Sequence, residues 1–520
     1  MTLKSHKLIS AQEAVRLVRS GSTLAVGGAG GVQEPDRLIT ALVDRFRETG
    51  EPGNLTEIHA IRTGEIEGRG TSLFGAPGLI KRMIGGSFWP VGVPELIRRI
   101  NDNEMEAYNF SIGVIYAMLE AAAGNRPGVV SRVGLGTFQD PVHGGGALNA
   151  VSTEKLVQRV EIDGEALLYY RALPVDTCFI RATTADTDGN LSFEEEAAII
   201  GPLLLAQAAR ANKGKVIAQV KRIVPAGSIA PHAVRVPGVM VDAIVLNPEQ
   251  MQITHSFYDP TLVGASKLAP QDVPVRPMDA NKVVMRRAFM EAKPGELLAI
   301  GFGIAGFLPA IALEENVFDL TSFTIEHGVF GGINGYAAGG KTFPVAHNPV
   351  AILDAADQLR FFAGGGVDRA FLGVGEVDQE GNVNVSRFGE RIPGAGGFVE
   401  MTQGIQNIVF CMVLGERAQR KVVQKVQDLT FNAKEALRRG QNITYVSEKA
   451  VFRLSAQGLV LTEIAPGLDL RKDVLDTLSC EVAVADNVSQ MPAVCFAQDT
   501  MGLRSQWLSI LDQTNSTTDH

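Results

Sequence analysis

The 520-residue sequence predicts an α/β protein built of two homologous, open α/β domains, each on a mostly parallel sheet. Three observations predict it. The chain is too long for one ordinary core, which calls for at least two domains. It repeats itself: Gly21-Ser-Thr-Leu-Ala-Val-Gly27 reads like Gly295-Glu-Leu-Leu-Ala-Ile-Gly301, and Pro35 and Pro309 share the same offset of 274. Short apolar runs alternate with helical patterns, the arrangement that favours parallel strands joined by crossovers.

Along the chain, Ser10-x-x-Glu13 before Ala14-Val15 is a capping box and predicts a helix start. The apolar run ending at Val26 leads into Gly27, Gly28, Gly30 and Gly31, a strand and a glycine-rich turn followed by a helix. A second pair of landmarks lies further on. Val175-Asp-Thr-Cys-Phe179 resembles Val367-Asp-Arg-Ala-Phe371, and Asp186-Thr-Asp-Gly-Asn-Leu191 resembles Asp378-Gln-Glu-Gly-Asn-Val383, both at an offset of 192. The gap between offsets 274 and 192 gives the first half about 82 extra residues, placed roughly between 56 and 149. Ser192-x-x-Glu195 predicts a second capped helix through Ala197-Ala198, with the acidic run 194–196 favouring its N-terminus. The expected boundaries are an N-terminal domain over 1–265, a linker over 266–281, a C-terminal domain over 282–511 and a disordered polar tail over 512–520.

Hydrophobic residues at 45%, charged residues at 20% and 56 glycines describe a compact, loop-rich α/β chain. A net charge of -9 argues against nucleic acid or an anionic membrane as a partner. Residues 1–10 are polar and basic without an apolar core, so no signal peptide is expected, and no window reaches a membrane-spanning length. A cytoplasmic protein is expected. Cys178, Cys411, Cys480 and Cys495 form no CxxC and are expected to fill core space in a reducing compartment. The eight histidines show no metal-ligand spacing, so no metal is expected.

One carboxylate stands out. In Phe323-Thr-Ile-Glu326-His-Gly328 a β-branched apolar run ends on Glu326, and glycines stand beyond it at 331, 332, 335, 339 and 340. A strand end can present a reactive side chain, while glycine lets a substrate or a second backbone come close. An exposed carboxylate here would be ionised and able to act as a nucleophile without a partner base. The structural alternative is a strand-end Glu that caps a helix or pairs with a surface Arg. His327, one residue on, is expected to face the opposite side of the strand.

Three motif matches compete. Gly335-Tyr-Ala-Ala-Gly-Gly340-Lys341-Thr342 fits the phosphate-binding pattern GxxxxGK[ST], but Pro344 and Pro349 oppose the helix such a loop must open. Gly301-Phe-Gly303-Ile-Ala-Gly306 fits GxGxxG, with Glu326 20 residues beyond where a dinucleotide fold keeps its ribose-binding acid. Pro309 falls early in the helix that would come next. Asp186-Thr-Asp-Gly-Asn begins like a calcium loop, yet no Glu stands at the twelfth position, and a turn explains both copies.

Taken together, six stretches resemble the class I coenzyme A transferases, in the branch where both halves are fused in one chain, with bacterial propionate and acetate CoA-transferases the nearest likeness. They are Leu24-Ala-Val-Gly-Gly28, Val133-Gly-Leu-Gly-Thr-Phe-Gln-Asp-Pro141, Thr324-Ile-Glu-His-Gly328, Gly381-Asn-Val-Asn-Val-Ser-Arg-Phe388, Gly394-Ala-Gly-Gly-Phe398 and Glu463-Ile-Ala-Pro-Gly467. The resemblance spans about residues 7–503. It implies that Glu326 is the covalent nucleophile, forming an acyl-glutamyl anhydride and then a glutamyl-CoA thioester. It also implies that the loop 394–398 offers backbone N–H donors to the oxyanion and to CoA, with Gly396 and Gly397 as candidates. The anhydride would hydrolyse in open water, so the two halves are expected to close over it. Gly27 and Gly28 are candidates for close backbone approach to ligand, or simply tight turns. The expected substrates are an acyl-CoA, probed first with short acyl groups, and a carboxylic acid. CoA is a substrate, no cofactor is bound permanently, and a homo-oligomer is expected.

The chain departs from that family pattern in three places. His327 stands where Ser or Asn is usual. A proline is missing from Gly331-Gly-Ile-Asn-Gly335. Tyr108-Asn-Phe-Ser-Ile112-Gly113 matches a segment ending Pro-Gln-Gly, with Ile112 in place of the glutamine that helps hold the oxyanion or acyl group. Ile112 cannot donate a hydrogen bond, so another group substitutes or the acyl pocket is more apolar. The alternatives are an acyl-CoA hydrolase on the same scaffold, a nicotinamide-nucleotide-binding Rossmann enzyme, and a ligand-binding protein without activity.

Overall fold

A computed structural model describes residues 7–66, 68–88, 93–340, 342–343 and 345–518. The chain forms two compact units, Met1–Ala265 with Ile352–Leu359 and Ser386–Gly397, and Ser266–Ala351 with Arg360–Val385 and Phe398–His520.

The first unit is built on strands β1 (Thr23–Val26), β2 (Leu55–His59), β3 (Ile80–Gly85), β4 (Glu106–Asn109), β5 (Thr177–Asp186), β6 (Lys215–Val224) and β7 (Ala243–Leu246). They lie in the order β7-β6-β5-β1-β2-β3-β4, every neighbouring pair parallel. The whole of β5 is buried, as expected of a strand covered on both faces, and its sequence accordingly alternates little. On one side Leu24, Val26, Phe179 and Ile217 pack with Leu38, Leu42 and Leu96 into one apolar core.

The second unit repeats the centre of that sheet. Its strands β8 (Leu297–Ile300), β9 (Ser322–Ile325), β10 (Arg369–Gly373), β11 (Asn407–Cys411) and β12 (Asn442–Val446) run parallel in the order β9-β8-β10-β11-β12. The two sequence offsets carry one register onto the other: Leu24 pairs with Thr177 in the first unit, and Leu298 pairs with Arg369 in the second. The extra residues of the first half supply β3 and β4. In the second unit β9 is instead followed by the antiparallel strand Val329–Phe330.

The turns after β5 and in the second-unit copy match bond for bond. Asp186 Oδ1 accepts from the N–H groups of Asp188 and Asn190, and Asp378 Oδ1 accepts from those of Glu380 and Asn382. Each is an Asx turn, which accounts for the calcium-like spelling.

Local structure differs from expectation at four points. The capping box at Ser10 and Glu13 forms, but Ser192 and Glu195 cap nothing. Glu195 is held by Lys221 Nζ at 2.7 Å, and Glu196 is paired with Arg181 at 3.0 Å. These long-range partners draw the acidic run out of a helix, and the helix begins at Pro202. The stretch 266–281 belongs to the second unit, with Val273 and Leu268 in a small apolar cluster with Ala310 and Ile333. A helix over Leu503–Thr518 runs into the expected tail, of which 519–520 lie outside the described residues. Cys480 is partly exposed, whereas the other three cysteines are buried and all four are free.

Candidate active site

Glu326 opens a three-residue turn. Ile325, the last residue of β9, pairs with Val329, so residues 326–328 alone reverse the chain. Two further bonds clamp the hairpin: Thr324 Oγ1 donates to Val329 O at 3.0 Å, and Gly331 N–H donates to Phe323 O at 2.7 Å. The reversal uses positive φ at His327 (80°) and Gly328 (92°). Glycine takes such a backbone freely, but a β-carbon at His327 is strained, and strain of this kind concentrates at functional sites. Glu326 is 8% exposed, so the carboxylate is buried at the strand end rather than exposed.

His327 does not continue the strand on its far side. It lies in the turn, buried, with its ring edge-on to Phe343 at 6.3 Å between centroids. Burial pushes its imidazole down to about 4, which leaves it neutral at ordinary pH. Its Nδ1 has no hydrogen-bond partner among the described residues.

The glycine loop 394–397 is folded into the first unit by a set of backbone bonds. Phe88 N–H donates to Pro393 O at 2.6 Å, and Ile112 N–H donates to Gly396 O at 2.9 Å. Asn109 locks the same place with one carboxamide. Its Oδ1 accepts from Ala395 N–H at 3.0 Å, and its Nδ2 donates to Gly85 O at 2.8 Å and Gly86 O at 3.1 Å. Gly394 has φ of 81°, and a Cβ there would meet Ser87 Cα at 2.8 Å, so only glycine fits. The Gly396 amide, one of the two expected donors, already donates to Gly86 O at 2.8 Å. That engagement leaves Gly397, whose N–H makes no hydrogen bond among the described residues.

Gly27 and Gly28 are explained by packing within the first unit. Gly27 N–H closes onto Phe179 O at 2.9 Å. Gly28 has φ of 107°, and a Cβ would stand 2.7 Å from Gln33 O and 2.8 Å from Thr63 Cγ2. The loop beyond holds Glu34, whose carboxyl is pushed up to about 7 by burial despite the Arg69 guanidinium nearby.

Two polar features escaped the sequence reading. Glu57 and His59, both buried in β2, pair at 2.8 Å, and His59 Nε2–H donates to Ser87 O at 2.9 Å, bracing the segment that carries the glycine loop. Gln139 is 0% exposed, and its Oε1 accepts from Ser111 N–H at 2.9 Å, while its Nε2 has no partner among the described residues. A glutamine closing the apolar and small run 133–138 was the available signal.

The competing motifs lose their context. Gly301 and Gly303 lead through a short 3-10 turn into a seven-residue helix with Pro309 in its first turn. Lys341 and Pro344 of the phosphate-loop pattern lie outside the described residues, as do residues 1–6 of the expected signal-free N-terminus. Among the described residues no cluster of three His, Cys, Asp or Glu could hold a metal ion, and no helix is long and apolar enough to cross a membrane. Burial pushes the Cys178 and Cys411 thiols far up, which makes them poor nucleophiles.

Comparison with known proteins agrees with this arrangement. The family model for coenzyme A transferase matches residues 8–247. The acetate CoA-transferase YdiF of Escherichia coli K12 is 37% identical over 95% of this chain and 96% of its own length. The caffeate CoA-transferase of Acetobacterium woodii is 35% identical over 96% of this chain and 98% of its own. Two crystal structures of the acyl-CoA transferase YdiF from Escherichia coli O157:H7 superpose, the apoenzyme with a TM-score of 0.90 and a thioester complex with CoA with 0.88. Each is 36% identical, over 95% of this chain and 97% of the other. With the repeated sheet, the buried strand-end carboxylate and full-length relatives of one kind, the chain belongs to the coenzyme A transferase family and is an acyl-CoA:carboxylate CoA-transferase.

Proposed function

We propose that Glu326 is the nucleophile through which this chain moves CoA from a short acyl-CoA to a free carboxylic acid. The observation that carries the reading is the clamped turn, which fixes one buried carboxylate at the C-terminal end of β9, the outermost of the parallel strands. The glutamyl carboxylate attacks the thioester carbonyl and expels CoA thiolate, leaving an acyl-glutamyl anhydride. The thiolate then attacks the glutamyl carbonyl of that anhydride and releases the first carboxylate, so Glu326 carries CoA as a thioester. An acceptor carboxylate attacks the glutamyl thioester, and the returning thiolate cleaves the new anhydride at the acceptor's acyl carbon, restoring Glu326. No redox change and no resident cofactor are required. The thioester complex known for YdiF supports the intermediate.

Charge develops on a carbonyl oxygen in each step, and fixed backbone donors stabilise it. Gly397 N–H is our candidate in the glycine loop, with Gly396 holding the loop in place. Gly27 and Gly28 serve the shape of the first unit. The relatives named for acetate and for caffeate leave room for both small and aromatic acids. Short-chain donors are the first to test. A cytoplasmic homo-oligomer completes the proposal.

The test is to incubate the protein with acetyl-CoA and a panel of acyl-CoAs, reduce with borohydride, and map the product by peptide mass spectrometry. Conversion of Glu326 to the alcohol is expected with every donor that supports transfer. An unmodified Glu326 with all donors, despite turnover, overturns its role. Constant total thioester during turnover with added acetate separates transfer from hydrolysis.

A further inference from the structure

A cleft of about 520 Å³ opens at the C-terminal ends of β5 and β6, and every residue that lines it belongs to the first unit. The C-terminal end of a parallel sheet is where α/β folds receive ligands, and the volume suits a small molecule. Thr184 of β5 and Arg222 and Val224 of β6 reach the cleft from the sheet. Phe193, Ile199, Ile229, Val263 and Ile352 give it an apolar wall. Among the described residues, none from the hairpin of Glu326 lines it.

The charges around this cleft do not all cancel. Three acids and three bases pair off: Glu194 with Arg222 at 3.1 Å, Glu195 with Lys221 at 2.7 Å and Glu196 with Arg181 at 3.0 Å. The hydroxyls of Thr184 and Ser192 bond to Glu194. Arg235 remains. It is exposed and lines the cleft, and its guanidinium makes no hydrogen bond or ion pair among the described residues. Asp354 acts on it from beyond ion-pair reach and accepts from Ala356 N–H at 2.9 Å. The loop that carries Arg235 is fixed at both ends. Arg235 N–H donates to Leu191 O at 2.9 Å, Gly238 N–H to Asn190 Oδ1 at 2.8 Å, and Ala226 N–H to Thr187 Oγ1 at 3.0 Å. A guanidinium fork on a fixed loop matches a carboxylate, and the apolar wall leaves room for the rest of the molecule. His232 lines the same cleft and can donate a further hydrogen bond.

We infer that this cleft binds a free carboxylic acid with an apolar chain or ring, its carboxylate on Arg235 and its body against Phe193, Ile229 and Val263. Inorganic phosphate satisfies the cation but leaves the apolar wall in water, and acetate is too short to cover it. Free acids are one of the two substrate classes of this enzyme, so the cleft holds a second copy of the kind of molecule that the reaction consumes and releases. The site does not depend on Glu326 acting as the nucleophile.

The test treats the full chain with phenylglyoxal, which modifies accessible guanidinium groups, and follows Arg235 by peptide mass spectrometry, with the exposed Arg47 as control. Saturating hexanoate is expected to slow labelling of Arg235 at least about fivefold and to leave Arg47 unchanged. Half-protection should need at least about tenfold less hexanoate than acetate, because the longer chain buries more CH2 groups. Val263→Trp fills the cleft and should remove the protection by hexanoate, while transfer from acetyl-CoA to propionate stays within about threefold of the parent. Ile229→Phe, a smaller filling, carries this arm if Val263→Trp does not fold. Labelling of Arg235 that hexanoate does not slow overturns the inference, as does an Arg235 that resists the reagent in the free chain. Equal protection by acetate or by inorganic phosphate marks a bare anion contact and overturns it too. A larger loss of transfer in the folded filled variant makes the cleft part of the transfer site and overturns a separate one.

Discussion

Glu326 and Ala60 hold the same place in two copies of one strand arrangement. In the first unit Ala25 pairs with Ile58, and in the second Ala299 pairs with Thr324. Two residues beyond each partner lie Ala60 and Glu326. The same register therefore ends in a methyl group in one copy and a carboxylate in the other. The chain beyond these two residues differs as well: the first copy runs on into β3 and β4, and the second reverses at once through His327 and Gly328. A repeated sheet supplies the position, and the adjoining turn decides whether it becomes a site. The first copy uses its polar residues elsewhere, with Glu57 and His59 standing at the registers of Phe323 and Ile325.

The comparison breaks most sharply at the two strand ends. Glu326→Ala is expected to lower CoA transfer by at least about 10⁴-fold, as loss of a nucleophile does. Ala60→Ser should leave turnover within about threefold. Transfer rates of the two variants in one assay check this, and comparable losses would sink the asymmetry. The next effect concerns the buried pair. His59→Leu strands Glu57 in the core and should destabilise the first unit by about 4 kcal/mol. Replacing both residues with Leu should cost less than the single change, which denaturant melts can measure.

Glu34 stands at the register of Leu308 through the shared offset of Pro35 and Pro309. Its carboxyl titrates at about 7 in the folded chain against an ordinary 4.5. Below about pH 4.5 both folded and unfolded chains hold the proton. Between 4.5 and 7 only the folded chain does, so stability falls as pH rises and levels off above 7. Glu34→Gln should flatten that slope, a difference of at most about 3 kcal/mol between pH 4 and pH 8. An unchanged pH profile in urea melts would contradict it. The smallest effect is expected at the glycine turns. Gly28→Ala should cost about 2–3 kcal/mol, since φ and two close atoms both oppose a Cβ. Gly303→Ala meets φ of 96° but open space, and should cost about 1 kcal/mol by thermal melting.

Much of this was legible in the chain. The two offsets, one read from glycines and prolines and the other from the Val-Asp starts and Asp-Gly-Asn turns, carry one register onto the other, because strand ends need the same turn residues wherever the strand recurs. Glu326 was visible because a β-branched run ends on it and glycines come next. The helix at Ser192 was misread because the cations that capture Glu194, Glu195 and Glu196 sit on β5 and β6, at Arg181, Lys221 and Arg222. Gln139 was hidden for a similar reason, since its partner Ser111 lies 28 residues away. The engagement of the Gly396 amide depends on Gly86, more than 300 residues earlier, and no local pattern encodes it.

The first unit takes in two late pieces of chain, Ile352–Leu359 and Ser386–Gly397. Its sheet is complete by Leu246, yet Ala355 N–H binds Ile199 O and the glycine loop covers Gly86 only after another hundred residues and more. On the ribosome the N-terminal half would therefore wait, with its last strand made and part of its packing still unsynthesised. Domains usually fold as they emerge; here the half made first is completed only after much of the second half has been made. A nascent chain truncated near 265 should be protease-sensitive, and one carried past 397 should resist.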